Sequence, residues 1–364
     1  MFLRILLFLI PIAILAQFLG LPAPIVFVLS FLALIPLASI LGEATEEIAT
    51  YTGPKIGGML NATLGTLTEL IIFIALLRSG QVDVLKASII GSILMSLLLT
   101  VGIALLVGGL KNGVQRFDSK SVSLATTTMI LATVGLIVPT LFTLGLEFQL
   151  GVTPTAEFQN REIDVLSLVL ALILFVVYLL TLVYQLRAPE GQGLAQEQSM
   201  ENDAAHGRWS LRRALLVLAG ATVVIAVVSE ILSGAVEPFG EALGLTPLFM
   251  GVVILPVAGA VSEIIVCVRL ARRNQIDFAI SIPMTGAMQV PLFVTPLLVF
   301  LSILGGHPLT LYFNPVEVVA VAIAVALAAY IAIDGVSNWL EGAQFLALWG
   351  MLALWFYFLR PLSG

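Results

Sequence analysis

Apolar residues run along this chain in continuous stretches of twenty or more, separated by short polar breaks. Strands of a membrane barrel would alternate apolar and polar residues over about ten positions. Unbroken runs of this length fit helices that cross the roughly 30 Å hydrocarbon core of a bilayer. The pattern predicts about eleven such spans, at 3–19, 22–50, 55–79, 83–110, 121–146, 162–187, 209–236, 243–271, 276–304, 315–334 and 340–360. The longest polar interval, 188–208, is rich in Gly and Gln and reads as a linker that divides the chain into halves.

The halves repeat one another. Glu69 stands in Gly65-Thr-Leu-Thr-Glu69 and Glu263 in Gly259-Ala-Val-Ser-Glu263, 194 positions apart, and Arg78, Gln81 and Asp83 recur as Arg272, Gln275 and Asp277 at that spacing. Glu69 falls on the third span and Glu263 on the eighth. An offset of five spans, an odd number, requires the two copies to be inverted. The expected fold is therefore an all-α polytopic membrane protein, with one extra N-terminal helix (1–20), a five-helix repeat (21–187), the linker (188–208) and a second five-helix repeat (209–364). Inverted repeats meeting near the bilayer midplane mark secondary transporters.

Composition agrees with the spans and adds little else: 60% of the 364 residues are hydrophobic, 10% are charged and the mean hydropathy is +1.11. Soluble domains carry about 25% charged residues. The single Cys267 and the two histidines, His206 and His307, provide neither a disulfide framework nor a Cys/His zinc site. The run Phe2–Ala16 lacks an Ala-x-Ala cleavage site and reads as a retained helix. Of the sixteen Lys and Arg residues, twelve fall on one side of the eleven-span topology; only Arg78, Lys86, Arg161 and Arg360 fall on the other. The positive-inside rule then places the N-terminus in the cytoplasm. No basic patch with interleaved aromatics suggests nucleic acid. With no nucleophile–His pair and no phosphate loop, the reading is a transporter and not an enzyme, with no cofactor.

The chemistry concentrates at the two midspan acids. Glu69 lies fourteen residues past Lys55, about 21 Å along a helix, in the middle third of the bilayer. An ionisable group at that depth costs about 2.5–3.5 kcal/mol even on insertion scales, so it marks function by default. Asn61, Thr63, Thr66 and Thr68 surround it in sequence, and such oxygen ligands suit hard cations such as Ca²⁺. Gly65 and Gly259, each four residues before the acid, are expected to let the helix open toward the site. On span nine, Pro283, Gly286 and Pro291 predict a broken helix at membrane depth. Glu43, Glu46 and Glu230 are candidates for a gate or proton relay, whereas Glu47, Glu237 and Glu241 read as solvated helix ends. Burial disfavours the charged form of any carboxyl group, and a second carboxyl beside it does so further, so a pair titrates as a unit. A cation must displace those protons to bind, and exchange of cation for protons follows.

From about Leu41 to Pro361 the chain resembles the Ca²⁺/H⁺ exchanger branch of the calcium/cation antiporter superfamily. The resemblance is carried by Gly42-Glu-Ala-Thr-Glu-Glu-Ile-Ala, Gly57-Gly-Met-Leu-Asn-Ala-Thr-Leu-Gly, Lys86-Ala-Ser-Ile-Ile-Gly-Ser-Ile-Leu, Gln289-Val-Pro-Leu-Phe-Val-Thr-Pro and Asp334-Gly-Val-Ser-Asn-Trp-Leu-Glu-Gly. It implies that Glu69, Glu263, Gln289, Asn61, Thr66 and Ser262 bind the cation or protons, with Glu69 and Glu263 holding the metal. Rocking one inverted repeat against the other would provide alternating access, and the short termini and loops suggest a prokaryotic plasma membrane. The implied partners are the lipid bilayer, the transported cation and protons. This sequence departs from the family pattern where the cation would bind. Thr66 and Ala260 stand in place of Asn, Ile264 in place of His, and Thr285-Gly286-Ala287 in place of Gly-Ser-Ser. Ala260, three residues before Glu263, is expected on the face of that acid. The lost ligands keep Na⁺, K⁺ and Mn²⁺ open as alternatives to Ca²⁺, and a non-transporting scaffold or regulatory subunit as a different class.

Overall fold

The computed structural model describes residues 6–52, 54–117, 119–150, 156–187, 209–305 and 308–359. A 3₁₀ turn, Leu6–Phe8, leads into α1 (Leu9–Phe18). There follow α2 (Ala23–Thr52), α3 (Pro54–Gly65), α4 (Leu67–Arg78), α5 (Val82–Asn112), α6 (Ser119–Leu150) and α7 (Ala156–Arg187). The second half holds α8 (Leu211–Leu243), α9 (Pro247–Arg272), α10 (Ile276–Leu304), α11 (Pro315–Asp334) and α12 (Trp339–Phe358). Among the described residues, eight helices (α2 and α5 to α11) are long and apolar enough to cross a membrane. The chain is an all-α polytopic membrane protein.

Helices α5 and α10 form the centre. Their most apolar windows are 83% and 67% buried, against 22% for α7 and 28% for α8, whose remaining faces are apolar and point outward. What brings the central helices together is small residues. A Cβ at Gly91 of α5 would lie 2.5 Å from the Val252 carbonyl oxygen of α9, and one at Gly251 would lie 2.6 Å from that of Val84. Close backbone approach through glycine is the usual packing device where lipid removes the hydrophobic drive between helices.

The helices bend through wide turns. π-helical turns occur at Met95–Thr100 in α5, Met250–Ile254 in α9 and Val290–Val294 in α10. The break expected at 283–291 is therefore corrected: α10 runs from Ile276 to Leu304 without interruption. Pro283 sits inside ordinary helix and Pro291 at the start of the π turn. The longer loop of a π turn frees a carbonyl group, and the Thr295 hydroxyl donates to the one at Val290, five residues back, at 2.8 Å. Helix α8 likewise runs past its expected end at 236, through Pro238, to Leu243, where Gly244 closes it in the left-handed conformation. The helix of the third span opens by one residue at Thr66, between α3 and α4, as its glycine suggests, but α9 is continuous through Gly259.

The 194-residue repeat is visible in the backbone. Helix α4 ends at Arg78 and α9 at Arg272, α5 starts at Val82 and α10 at Ile276, and the π turns of α5 and α10 end at Thr100 and Val294. The halves are joined by a two-stranded antiparallel ribbon, β1 (Gln115–Arg116) against β2 (Val336–Ser337). Beside it, Lys111 and Asn112 donate to the Arg272 and Ala271 carbonyls at 3.0 and 2.9 Å. At the opposite end, residues 308–314 are irregular, and side chains satisfy their backbone. Leu309, Leu311 and Phe313 donate to Ser302, Ser167 and Thr140, and the Lys86 ammonium donates to the Tyr312 carbonyl at 3.1 Å. Buried backbone of irregular shape needs partners of this kind.

Candidate functional site: a cavity between two glutamates

The break at Thr66 decides where Glu69 sits. It places the acid in the first turn of α4, where free N–H groups and the helix dipole favour negative charge. Glu263 lies inside continuous α9 and has no such help from its own helix. Instead the Ser96 hydroxyl of α5 lies 3.3 Å from its Oε2 and donates to it.

Glu69 reaches across to the second half, and Glu263 packs within it. A Cβ at Gly259 would lie 3.1 Å from Cγ and 3.3 Å from Oε1 of Glu69, so Glu69 rests on α9 one turn before Glu263. Glu263 in turn rests on α10, its Oε1 3.3 Å from where a Gly286 Cβ would stand. Glycine at these positions makes room for the acids.

Both glutamates line one cavity of about 300 Å³. On α9 it is lined by Gly259, Ser262, Glu263, Ile265, Val266 and Arg269, one side of the helix. Thr66, Thr68, Ser96, Thr285 and Gln289 supply further oxygens. Thr66 donates to the Thr63 carbonyl at 3.2 Å and Ser262 to that of Gly259 at 3.3 Å. A hydroxyl that donates its proton keeps its lone pairs for a cation. Glu43, Glu46 and Arg269 are exposed and also line the cavity, so they form its mouth.

Seven residues singled out in the sequence thus converge here: Glu69, Glu263, Gln289, Thr66 and Ser262 at the floor and walls, and Glu43 with Glu46 at the rim. Asn61 belongs to α3, but its side chain lies outside those described. Glu230 is exposed on α8 and does not line the cavity. Ala260 is also corrected: it is 3% exposed, packed in protein, and absent from the cavity wall. It stands one residue, about 100° of helix turn, from the Gly259 face. Ser96 was not singled out as a ligand. Its signal was the pair Ser92 and Ser96, four apart on one face of a strongly apolar helix; Ser92 is buried as well, against Glu69.

The model of the sodium/calcium exchanger protein family matches residues 22–187 and 213–358, which is most of the chain. The chain belongs to the sodium/calcium exchanger protein family. A Ca²⁺/H⁺ antiporter of Aphanothece halophytica is 38% identical to it, over 97% of this chain and 95% of that protein. The solved structure of native YfkE superposes with a TM-score of 0.81 at 30% identity, covering 98% of this chain and all of that one. The H⁺/Ca²⁺ exchanger CAX, at 15% identity, has the same fold, with a TM-score of 0.74 over 98% of this chain. Family membership agrees with a membrane transporter.

Proposed function

We propose that this chain exchanges a cation, Ca²⁺ first among candidates, for protons across a prokaryotic plasma membrane. The observation that carries the reading is the single cavity holding Glu69 and Glu263, one acid from each half at matching repeat positions. Two bare carboxylates enclosed together at membrane depth are too costly to bury. Protons or a divalent cation can neutralise them, and the two loads compete for the same oxygens. A carrier that crosses its barrier only when loaded is an antiporter.

The domain reading follows from the repeat: residues 1–20 precede a five-helix unit at 21–187, and an inverted unit at 209–364 follows the linker. With the N-terminus in the cytoplasm, as the Lys and Arg distribution requires, the mouth at Glu43, Glu46 and Arg269 faces the cytoplasm. Glu43 and Glu46 draw cations to that mouth, and Gln289, Thr66, Ser262 and Asn61 complete the neutral oxygen set around the acids. The named Ca²⁺/H⁺ antiporter relative supports both the ion and the exchange. Purified protein in proteoliposomes, with an imposed pH gradient and Ca²⁺, Mn²⁺, Na⁺ and K⁺ offered in turn, tests the reading. Ca²⁺ uptake coupled to proton release is expected; uptake of every ion at the protein-free rate would sink it.

A further inference from the structure

The turns that join α4 to α5 and α9 to α10 have one geometry. Gly80 and Asn274 both adopt left-handed backbone, with φ of +76° and +63°. Gln81 and Gln275 follow, with φ, ψ of −83°, 59° and −101°, 60°. Their amides donate to the carbonyls of Leu76 and Leu270, each at 3.0 Å. The two glutamine side chains nevertheless differ in what they hold. Gln81 Nε2 donates to the Ser233 carbonyl of α8 at 2.8 Å. Gln275 is exposed, and among the described residues its side chain has no partner. The residue that stands 194 positions before Ser233 is Ser39, on α2, and Ser39 lines the open cavity.

The surfaces beside these turns differ in the same sense. Ile72 and Ala75 of α4 and Val236 of α8 are 4%, 4% and 0% exposed. Their repeat counterparts Val266, Arg269 and Gly42 line the cavity on the cytoplasmic side. One end of the molecule is therefore shut by contacts whose equivalents at the other end are parted.

We propose that Gln81 and Gln275 are reciprocal latches. The Gln81 bond to the Ser233 carbonyl holds the outer end shut while the cavity faces the cytoplasm. When the cytoplasmic end shuts, Gln275 makes the equivalent bond to the Ser39 carbonyl and Gln81 releases. The inference rests on the alternating-access reading above and adds the residues that set the balance between its two states. Both are positioning residues: neither touches the cation, and each acts by holding a helix turn against α8 or α2.

The test uses two reporter cysteines on a Cys267→Ala background, Val266→Cys on the cytoplasmic cavity wall and Ile72→Cys at its repeat counterpart, in oriented proteoliposomes with a membrane-impermeant thiol reagent. Gln81→Ala is expected to raise labelling of the Ile72 reporter from outside about three- to tenfold, the shift expected from one ordinary hydrogen bond, and to slow labelling of the Val266 reporter from inside. Gln275→Ala is expected to do the reverse, and the double variant to restore the parent ratio. A change of the same sign at both reporters, which a merely structural loosening would give, overturns the proposal. So does a ratio unmoved by either variant while the Ile72 reporter still answers to the pH gradient; in that case alternating access stands and only the latches fall. If the Ile72 reporter is never labelled from outside during active transport, alternating access and the latches fall together.

Discussion

Replacing Gly259 by Ala separates the cavity's geometry from the stability of the helix around it. The new methyl carbon would stand 3.1 Å from Cγ and 3.3 Å from Oε1 of Glu69. Carbon atoms settle at about 3.5–4.0 Å, so the acid must retreat by roughly half an ångström. Ca²⁺–oxygen bonds occupy only about 2.3–2.6 Å, and a carboxylate moved by that much no longer meets the ion together with Glu263. A loss of about tenfold in Ca²⁺ affinity is expected, equivalent to about 1.4 kcal/mol. The fold should not weaken. Helix α9 is continuous at this position, and Ala in a helix is favoured over Gly by about 0.5–1 kcal/mol. The assay is the Ca²⁺ dependence of pH-driven uptake in proteoliposomes, with thermal unfolding in detergent alongside. Gly65→Ala, at the repeat counterpart, is the control: a Cβ there meets nothing within 4 Å, so affinity should stay within about twofold. Equal affinities for the two variants would refute the placement of Glu69 against α9.

Ser96→Ala removes a long hydrogen bond to Glu263; a few-fold rise in half-saturating Ca²⁺ is expected in uptake assays, less than any glutamate substitution causes. Gly91→Ala should abolish the folded protein, because its methyl would lie 2.5 Å from the Val252 carbonyl oxygen and 2.7 Å from Cγ of Pro256; size-exclusion chromatography after detergent extraction reads this directly. Ala260→Asn overfills a packed position and should cost about 1–3 kcal/mol, seen as a lower melting temperature with the ion preference unchanged. Thr66→Asn puts an amide into the cavity and should shift the ratio of Ca²⁺ to Na⁺ uptake upward.

Much of this arrangement was legible in the sequence because membrane depth makes polar residues conspicuous. Glu69 and Glu263 stand out against apolar runs, and the shared spacing of Arg78, Gln81 and Asp83 with Arg272, Gln275 and Asp277 gave the repeat that the backbone turns reproduce. Proline was the weaker guide. Pro283 and Pro291 suggested a break, but a π turn absorbs the second and enclosing protein tolerates the first, a tertiary effect that no local pattern encodes. Helical periodicity also misplaced Ala260: it lies about 60° beyond Glu263, on the side of α9 away from Gly259, Ser262 and Val266, which face the cavity. Glu230 shows the converse limit: its charge marked it as a candidate, yet only packing decides which way a helix face turns, and α8 turns it outward. Ser96 needed the partner helix to reveal it, because a serine in an apolar helix otherwise bonds to its own backbone.

The central claim is that Ca²⁺ and protons compete for Glu69 and Glu263. Simultaneous recording of Ca²⁺ uptake and proton release in proteoliposomes, for the parent and for Glu69→Gln and Glu263→Gln, tests it most directly. Glutamine keeps the shape and polarity of the acid but carries no exchangeable proton. The account predicts that the two fluxes are coupled in the parent and that each substitution removes both. Coupled fluxes at the parent rate in either variant would contradict it.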